Sequence, residues 1–241
     1  MNKILKYILM LAVLPLLFMA CEKKPTFTPG QGGGTSGGNG GGNTGGGVAD
    51  YSGLTAENHP RMIMTDADVD IIKGKLAAGT DANLTALHNG AMNYADRALS
   101  MKDLTHTLTG HRLLSVCTEA SNRIIACSYA WRLTGDTKYR DQAIHDLETV
   151  TDPAIFPDWN AGQHFLDIGE ITHGVGVGYD WLYDELSTET RKQVEDAIIS
   201  YAFTPALKMS TNTGNSFYNQ ATNWNQVCNG GLVCCALAIY E

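Results

Sequence analysis

The stretch Asp158–Asp184 reads DWNAGQHFLDIGEITHGVGVGYDWLYD. Its spacing predicts a helix from about Gly162 that is apolar on two sides. Ile168, Ile171, Val175 and Leu182 fall on one side, and Leu166, Val177 and Trp181 on the other. A helix apolar all round is a buried one, enclosed by other helices. His164, Asp167, Glu170 and His173 recur along it every three residues, a spacing that lets each side chain touch the next. Buried polar groups need partners, because each unpaired one costs roughly 1–3 kcal/mol. The row therefore either ties the interior together or lines a wet cleft. Gly174, Gly176 and Gly178 interrupt the same helix, each at a cost of about 1 kcal/mol in helix propensity relative to alanine. Close approach of neighbouring helices is the expected compensation. A nucleotide-binding loop is the rival reading of these glycines, but no strand precedes them.

Outward from this stretch the chain reads as consecutive helices, and no segment alternates with period two for long. His59-Pro60-Arg61-Met62-Ile63-Met64 reads as an extended lead-in. Thr65 is an N-cap with Asp68 as its capping-box partner, and Val69, Ile72 and Leu76 set the stripe that follows. Further helices are expected over Asp81–Ala98, about Leu113–Leu133, about Thr137–Val150, and from Ser187 with Val194, Ala197, Ile198, Tyr201 and Ala202 on one face. Gly135 ends one helix and Asp136 caps the next. The last helix begins near Asn219 and is still apolar at Ala236–Glu241. A helix face left uncovered exposes apolar surface, so a fragment of a longer protein is expected.

Residues 1–20 have the form of a lipoprotein signal peptide. Lys3 and Lys6 supply the positive charge, Ile4–Phe18 the apolar run, and Leu17–Cys21 the cleavage box. Cys21 is then the lipidated first residue of the mature chain, anchored to outer-membrane lipid at the cell surface or in the periplasm. Residues 21–50 are a Gly-rich linker, expected to be a disordered tether because such a run cannot bury apolar surface. The folded domain spans 51–241.

The chain has 241 residues and a formal net charge of −8, which argues against nucleic-acid binding. An acidic ligand would need a local basic or hydrogen-bonding pocket. Cys117 and Cys127 lie ten residues apart on one helix, about 15 Å, beyond the roughly 7 Å a disulfide spans. Cys228 and Cys235, two turns apart, fail the same test, so small buried core residues are expected. His164 and His173 are wrongly spaced for a zinc pair, and no cofactor is indicated. A second constellation, Thr222–Gly231, packs Asn223, Trp224, Asn225 and Gln226 into the start of a helix. Neutral amide donors beside an aromatic plate suit an anionic or hydroxyl-rich ligand, and the helix N-terminus adds positive partial charge. Loop and cap is the bland alternative.

Four segments resemble the N-terminal helical domain of the heparinase II/III-like polysaccharide lyases: HPRMIMT from His59, ASNRIIACSYAWRLTGDTKYRDQA from Ala120, HFLDIGEITHGVGVGYDWLYDEL from His164 and NWNQVCNGG from Asn223. The resemblance covers roughly Asn58–Glu241. It implies an all-α fold, an incomplete (α/α)-toroid of antiparallel helical hairpins with a cleft along one end. It implies β-elimination on an acidic, uronic-acid polysaccharide, with a catalytic Tyr and His later in the chain than anything matched here. The family neutralises the sugar carboxylate with an amide or His early in the toroid, and Asn225 is the matching position, with Asn223 and Gln226 as contenders. An Asn225→Ala change is then expected to cut turnover at least tenfold with little change in melting. Trp159, Trp224 and Tyr179 are candidates to stack on sugar rings, with core packing the alternative for Tyr179. His164, Asp167 and Glu170 either hold the cleft wall or touch substrate. Two other functions fit the sequence: a non-catalytic glycan-binding lipoprotein, and a glycoside hydrolase using two of Asp158, Asp167 and Glu170.

Overall fold

The computed structural model describes residues 58–210, 217–219 and 221–240. The signal peptide, Cys21, the Gly-rich linker and the start of the folded domain near Tyr51 lie outside the described residues. Among those described, the structure is helical apart from loops and an isolated bridge between Thr109 and Arg112. None of these helices is long and apolar enough to cross a membrane.

The helices are α1 (Asp66–Ala78), α2 (Ala82–Ala98), α3 (Leu114–Thr134), α4 (Thr137–Thr151), α5 (Phe165–Leu182), α6 (Thr188–Ala197), α7 (Thr204–Ser210) and α8 (Asn223–Ala238). Local chemistry sets most of the boundaries. Thr65 and Asp68 form the expected capping box on α1. Asp81, Asp136 and Ser187 cap α2, α4 and α6 with their side chains. Gly135 closes α3 at φ 70°, a left-handed conformation that costs a glycine little. A π-helical segment, Ile198–Phe203, carries α6 into α7. The last helix starts at Asn223, and Phe217–Asn219 is a separate 3₁₀ turn.

Two layers emerge from the pairing. Asp167 meets Leu113, Gly174 meets Ser121 and Gly178 meets Ile124, so α5 runs parallel to α3. Gly169 meets Cys228 and Gly176 meets Cys235, so α8 runs parallel to α5. Behind them, Tyr139 reaches back to Asp96, while Thr190 and Gln193 bond Glu148 and Thr151. Thr190 and Gln193 set α6 alongside α4 in the same sense, Tyr139 ties the start of α4 to the end of α2, and short turns join α4 to α3 and α6 to α5. Every residue of α5 except Leu166, Glu170 and His173 is buried. Its enclosure is therefore as the sequence predicts.

The glycines of α5 make that enclosure possible. A Cβ at Gly174 would stand 2.3 Å from the Ser121 Cα, and one at Gly176 would stand 2.9 Å from the Cys235 nitrogen. Their lost helix propensity is offset by backbone approach on both flanks, to α3 at Gly174 and to α8 at Gly176. The Cys228 and Cys235 thiols of α8 donate to the Phe165 and Thr172 carbonyls across the same seam. The five described cysteines are all free thiols. Burial pushes the Cys228 thiol up to about 12 and the Cys234 thiol up to about 11, so both stay protonated packing groups at neutral pH.

The lead-in is more folded than the expected extended segment. Asp180, fully buried at the end of α5, accepts hydrogen bonds from the Arg61 and Met62 backbone amides and pairs with His59 Nδ1 at 2.6 Å. Trp181 donates its indole N–H to the Met62 carbonyl. Ile63 turns through φ 63°, a conformation a β-branched residue takes only under tertiary constraint. The turn buries Met62 and Met64, and Met64 joins Val69, Leu133, Val177 and Trp181 in one apolar cluster.

Candidate functional site

Because α3, α5 and α8 are parallel, their N-terminal ends lie at one end of the front layer. Leu113 and His111, His164, and Asn223–Gln226 are thereby brought together from three distant parts of the chain. The anchor is Asp167. It is fully buried one turn into α5, and its Oδ2 accepts from the Leu113 amide and the Asn160 side chain, both at 2.7 Å. The carboxylate thus answers the unpaired N–H groups at the start of α3, where negative charge is favoured. Its Oδ1 lies 2.7 Å from His164 Nδ1. Asn160, held at φ 66°, also donates to the His111 carbonyl, so the loop before α5 is tied down at both ends.

His164 is the N-cap residue of α5 but makes no capping bond with its side chain. Asp167 holds the imidazole instead. In the neutral ring this places the proton on Nδ1 and leaves Nε2 as an acceptor. The ring meets Trp224 edge-on, with centroids 4.7 Å apart, and it is only 11 % exposed. Trp224 is half-buried, while Asn223 and Gln226 beside it are exposed. The start of α8 also has no side-chain cap from Thr222. Two adjacent helix N-termini, an oriented imidazole, an indole and two open amides therefore face the same end.

Asn225 is placed differently. Its Nδ2 donates to the Phe217 carbonyl at 3.1 Å and the Tyr218 carbonyl at 2.9 Å. Both amide hydrogens are spent on holding the 3₁₀ turn against α8, and its backbone carbonyl accepts from Asn229. Trp159 does not join the site. It is fully buried, its indole N–H donates to the Val150 carbonyl, and it packs edge-on against Tyr201. A sugar ring has no access to a side chain so placed. Tyr179 is likewise buried and donates to Glu195, so it follows the core alternative. Glu170 lies one turn beyond Asp167 and accepts from Thr118 Oγ1 at 3.5 Å. In the polar row spaced at three residues, His164 and Asp167 bond each other, as the spacing allows.

Asn160, Leu113 and His111 are the members of this network that the sequence reading missed. Asn160 follows Trp159 directly, but nothing local marks it as a bridge to a residue 49 positions earlier. Two clefts lie elsewhere. One of about 460 Å³ sits at the opposite end of α3 and α5, among Asp70, Lys73, Trp131, Asp184 and Glu185. The other, about 500 Å³, lies over Thr151, Lys192, Gln193 and Tyr201. None of the candidate catalytic or substrate-binding residues named from the sequence lines either one. No protein-family model matches the chain, and no curated protein matches it.

Proposed function

We propose that residues 58–240 form the substrate-cleft part of an (α/α)-toroid that binds uronic-acid polysaccharide for cleavage by β-elimination. The observation that carries this reading is the cluster at the shared N-terminal end of α5 and α8. His164 is oriented there by buried Asp167 and touches Trp224, with Asn223 and Gln226 open beside it. The two-layer arrangement, α2, α4 and α6 behind α3, α5 and α8, is the alternation from which such toroids are built. Helix N-termini without side-chain caps attract anions in a chain whose net charge is otherwise −8.

In β-elimination the proton leaves the sugar carbon next to the carboxylate. That carbon is weakly acidic until hydrogen-bond donors neutralise the carboxylate as negative charge develops. Asn223 and Gln226, with the amides at the start of α8, are the donors free to do this. Asn225 supports them by tying the 3₁₀ turn to the start of the helix they stand on. Trp224 offers an apolar plate to a sugar face, and His164 Nε2 accepts from a sugar hydroxyl. The groups that move protons in the full reaction are the family's later Tyr and His. Asp167, fully engaged as a structural acceptor, is not open to serve as one of the two carboxylates of a glycoside hydrolase.

The test is binding by the full chain, followed by digestion with the protein that also carries the later Tyr and His. Retention by an acidic glycan, and loss of it in Trp224→Ala and His164→Ala, is the expected result. Rising ultraviolet absorbance from the unsaturated uronate would then establish elimination. New reducing ends without that absorbance would establish hydrolysis and overturn the reading, and so would indifference to every uronic-acid polymer.

A further inference from the structure

We propose that the outer face of α8 is an interface with a second copy of this chain, the two α8 helices pairing antiparallel about a two-fold axis. This goes beyond the glycan reading and does not depend on it.

Cys228, Gly231 and Cys235 turn α8 towards α5. The opposite side carries Gly230, Val233, Leu237 and Tyr240, all exposed, with Val233 at 55 %, Leu237 at 50 % and Tyr240 at 47 %. Their spacing of three, four and three residues is that of a seam along which one helix packs lengthwise on another. Arg61 donates to the Tyr240 carbonyl and holds that end of the seam in place. Gly230 stands in the seam without a reason inside the protomer. A Cβ on neighbouring Gly231 would stand 2.4 Å from the Gly169 carbonyl oxygen, whereas one on Gly230 meets nothing within 4 Å. A glycine inside a helix weakens it, and every glycine of α5 answers that cost with a close neighbour.

The seam is complementary to itself. With the two-fold axis between Val233 and Leu237, Val233 meets the partner's Leu237, and Gly230 meets the partner's Tyr240. The smallest member thus receives the largest, twice over by symmetry. A parallel pair would set glycine on glycine and leave a gap there. Charge points the same way. A self-complementary interface brings identical surfaces together, so an excess of either charge in it repels itself. The chain has a net charge of −8, yet from Met209 to Tyr240 it contains no Asp, Glu, Lys or Arg. The overlap from Gly230 to Tyr240 is about 15 Å long, which makes a small interface of the weak, reversible class. Asn223, Trp224 and Gln226 lie beyond it, so the candidate site stays open at each end of the pair.

The experiment is sedimentation velocity of the full chain from about 10 to 300 µM, with circular dichroism of each variant to confirm its fold. The wild type is expected to pass from monomer to dimer, half-associated at about 100 µM. Val233→Glu and Gly230→Leu should each weaken association at least about tenfold, the first by setting a charge against the partner's Leu237 and the second by filling the space that the partner's Tyr240 needs. Val233→Glu combined with Leu237→Lys should restore association to within about threefold, because opposite charges then meet across the axis. A chain that stays monomeric throughout overturns the proposal, and so does association untouched by Val233→Glu. Failure of the charge pair to restore association overturns the antiparallel register. A longer protein, carrying the later Tyr and His, that stays monomeric over the same range would assign the face to its own later segment and overturn the second copy.

Discussion

Gly174 of α5 presses so closely on Ser121 of α3 that a Cβ there would stand 2.3 Å from the Ser121 Cα and 2.6 Å from its Oγ. The obstacle is backbone, which cannot turn aside as a flexible side chain would. Gly174→Ala should therefore destabilise the protein despite a gain of about 1 kcal/mol in helix propensity, since overpacking costs typically 1–3 kcal/mol and more where backbone must shift. Gly230 of α8 is the internal control, because a Cβ there meets nothing within 4 Å. Gly230→Ala should raise stability by up to about 1 kcal/mol. Thermal melts of the two variants should move in opposite directions. A stabilised Gly174→Ala would mean that α3 and α5 are not packed this closely.

What was legible in the sequence was local or periodic. The Thr65–Asp68 capping box and the Gly135–Asp136 stop and restart are settled within a few residues, so they read directly. The burial of α5 followed from apolar residues on both of its sides, and its glycines from the need for close neighbours. Partners far along the chain were not legible. Nothing near Asp180 announces that it holds the Arg61 and Met62 amides, 119 and 118 residues away. Nothing near Asp167 announces the start of α3. Trp159 looked like a stacking plate because a tryptophan beside polar residues has the same spelling whether buried or open. The carbonyl of Val150 and the ring of Tyr201 decide the matter.

Asn225 and Asn223 separate a supporting amide from an open one. Asn225 loses two hydrogen bonds to the 3₁₀ turn on truncation, so Asn225→Ala should cost about 1–3 kcal/mol and lower the melting temperature. Asn223 is exposed, and Asn223→Ala should leave melting nearly unchanged. Glycan binding should fall in both variants, through the loosened turn in one and a lost donor in the other. Unchanged melting in Asn225→Ala would return that residue to the direct role that the family resemblance suggests.

The Arg123–Asp146 pair joins α3 to α4 with neither side chain exposed, through bonds of 3.0 and 2.6 Å. Arg123 also donates to the Lys102 carbonyl. Asp146→Ala would leave a buried guanidinium with only the half-exposed Glu119 carboxylate, 3.5 Å away, as counter-charge, a loss of about 3–5 kcal/mol. For a domain of this size that lowers the melting temperature by roughly 10 °C. The paired change Arg123→Met with Asp146→Leu removes both charges and should recover most of the loss. Denaturant melts of the single and double variants give the coupling directly. Equal losses in both would show that shape, not charge pairing, sets the cost.

Burial lowers the pKa of His173 below the ordinary histidine value, and His88 is shifted the same way by the same cause. Both groups are therefore held neutral more firmly in the fold than in the unfolded chain. Their contribution is complete above the unfolded value, about 6.5, and is lost as pH falls through the depressed folded values. Over that interval the unfolded chain binds more protons, so stability must fall with falling pH. His173→Leu removes the larger burial and the unpartnered Nε2 together. It should flatten the acid side of the stability curve between about pH 6.5 and 5, above the range in which carboxylates titrate. His88→Leu should flatten it less, because His88 keeps a bond to the Tyr129 hydroxyl that truncation also breaks. Chemical denaturation at half-unit pH steps reads both slopes. A wild-type curve that is level across this interval, or a His173→Leu curve as steep as the wild type, would show that burial does not hold this imidazole neutral in the fold.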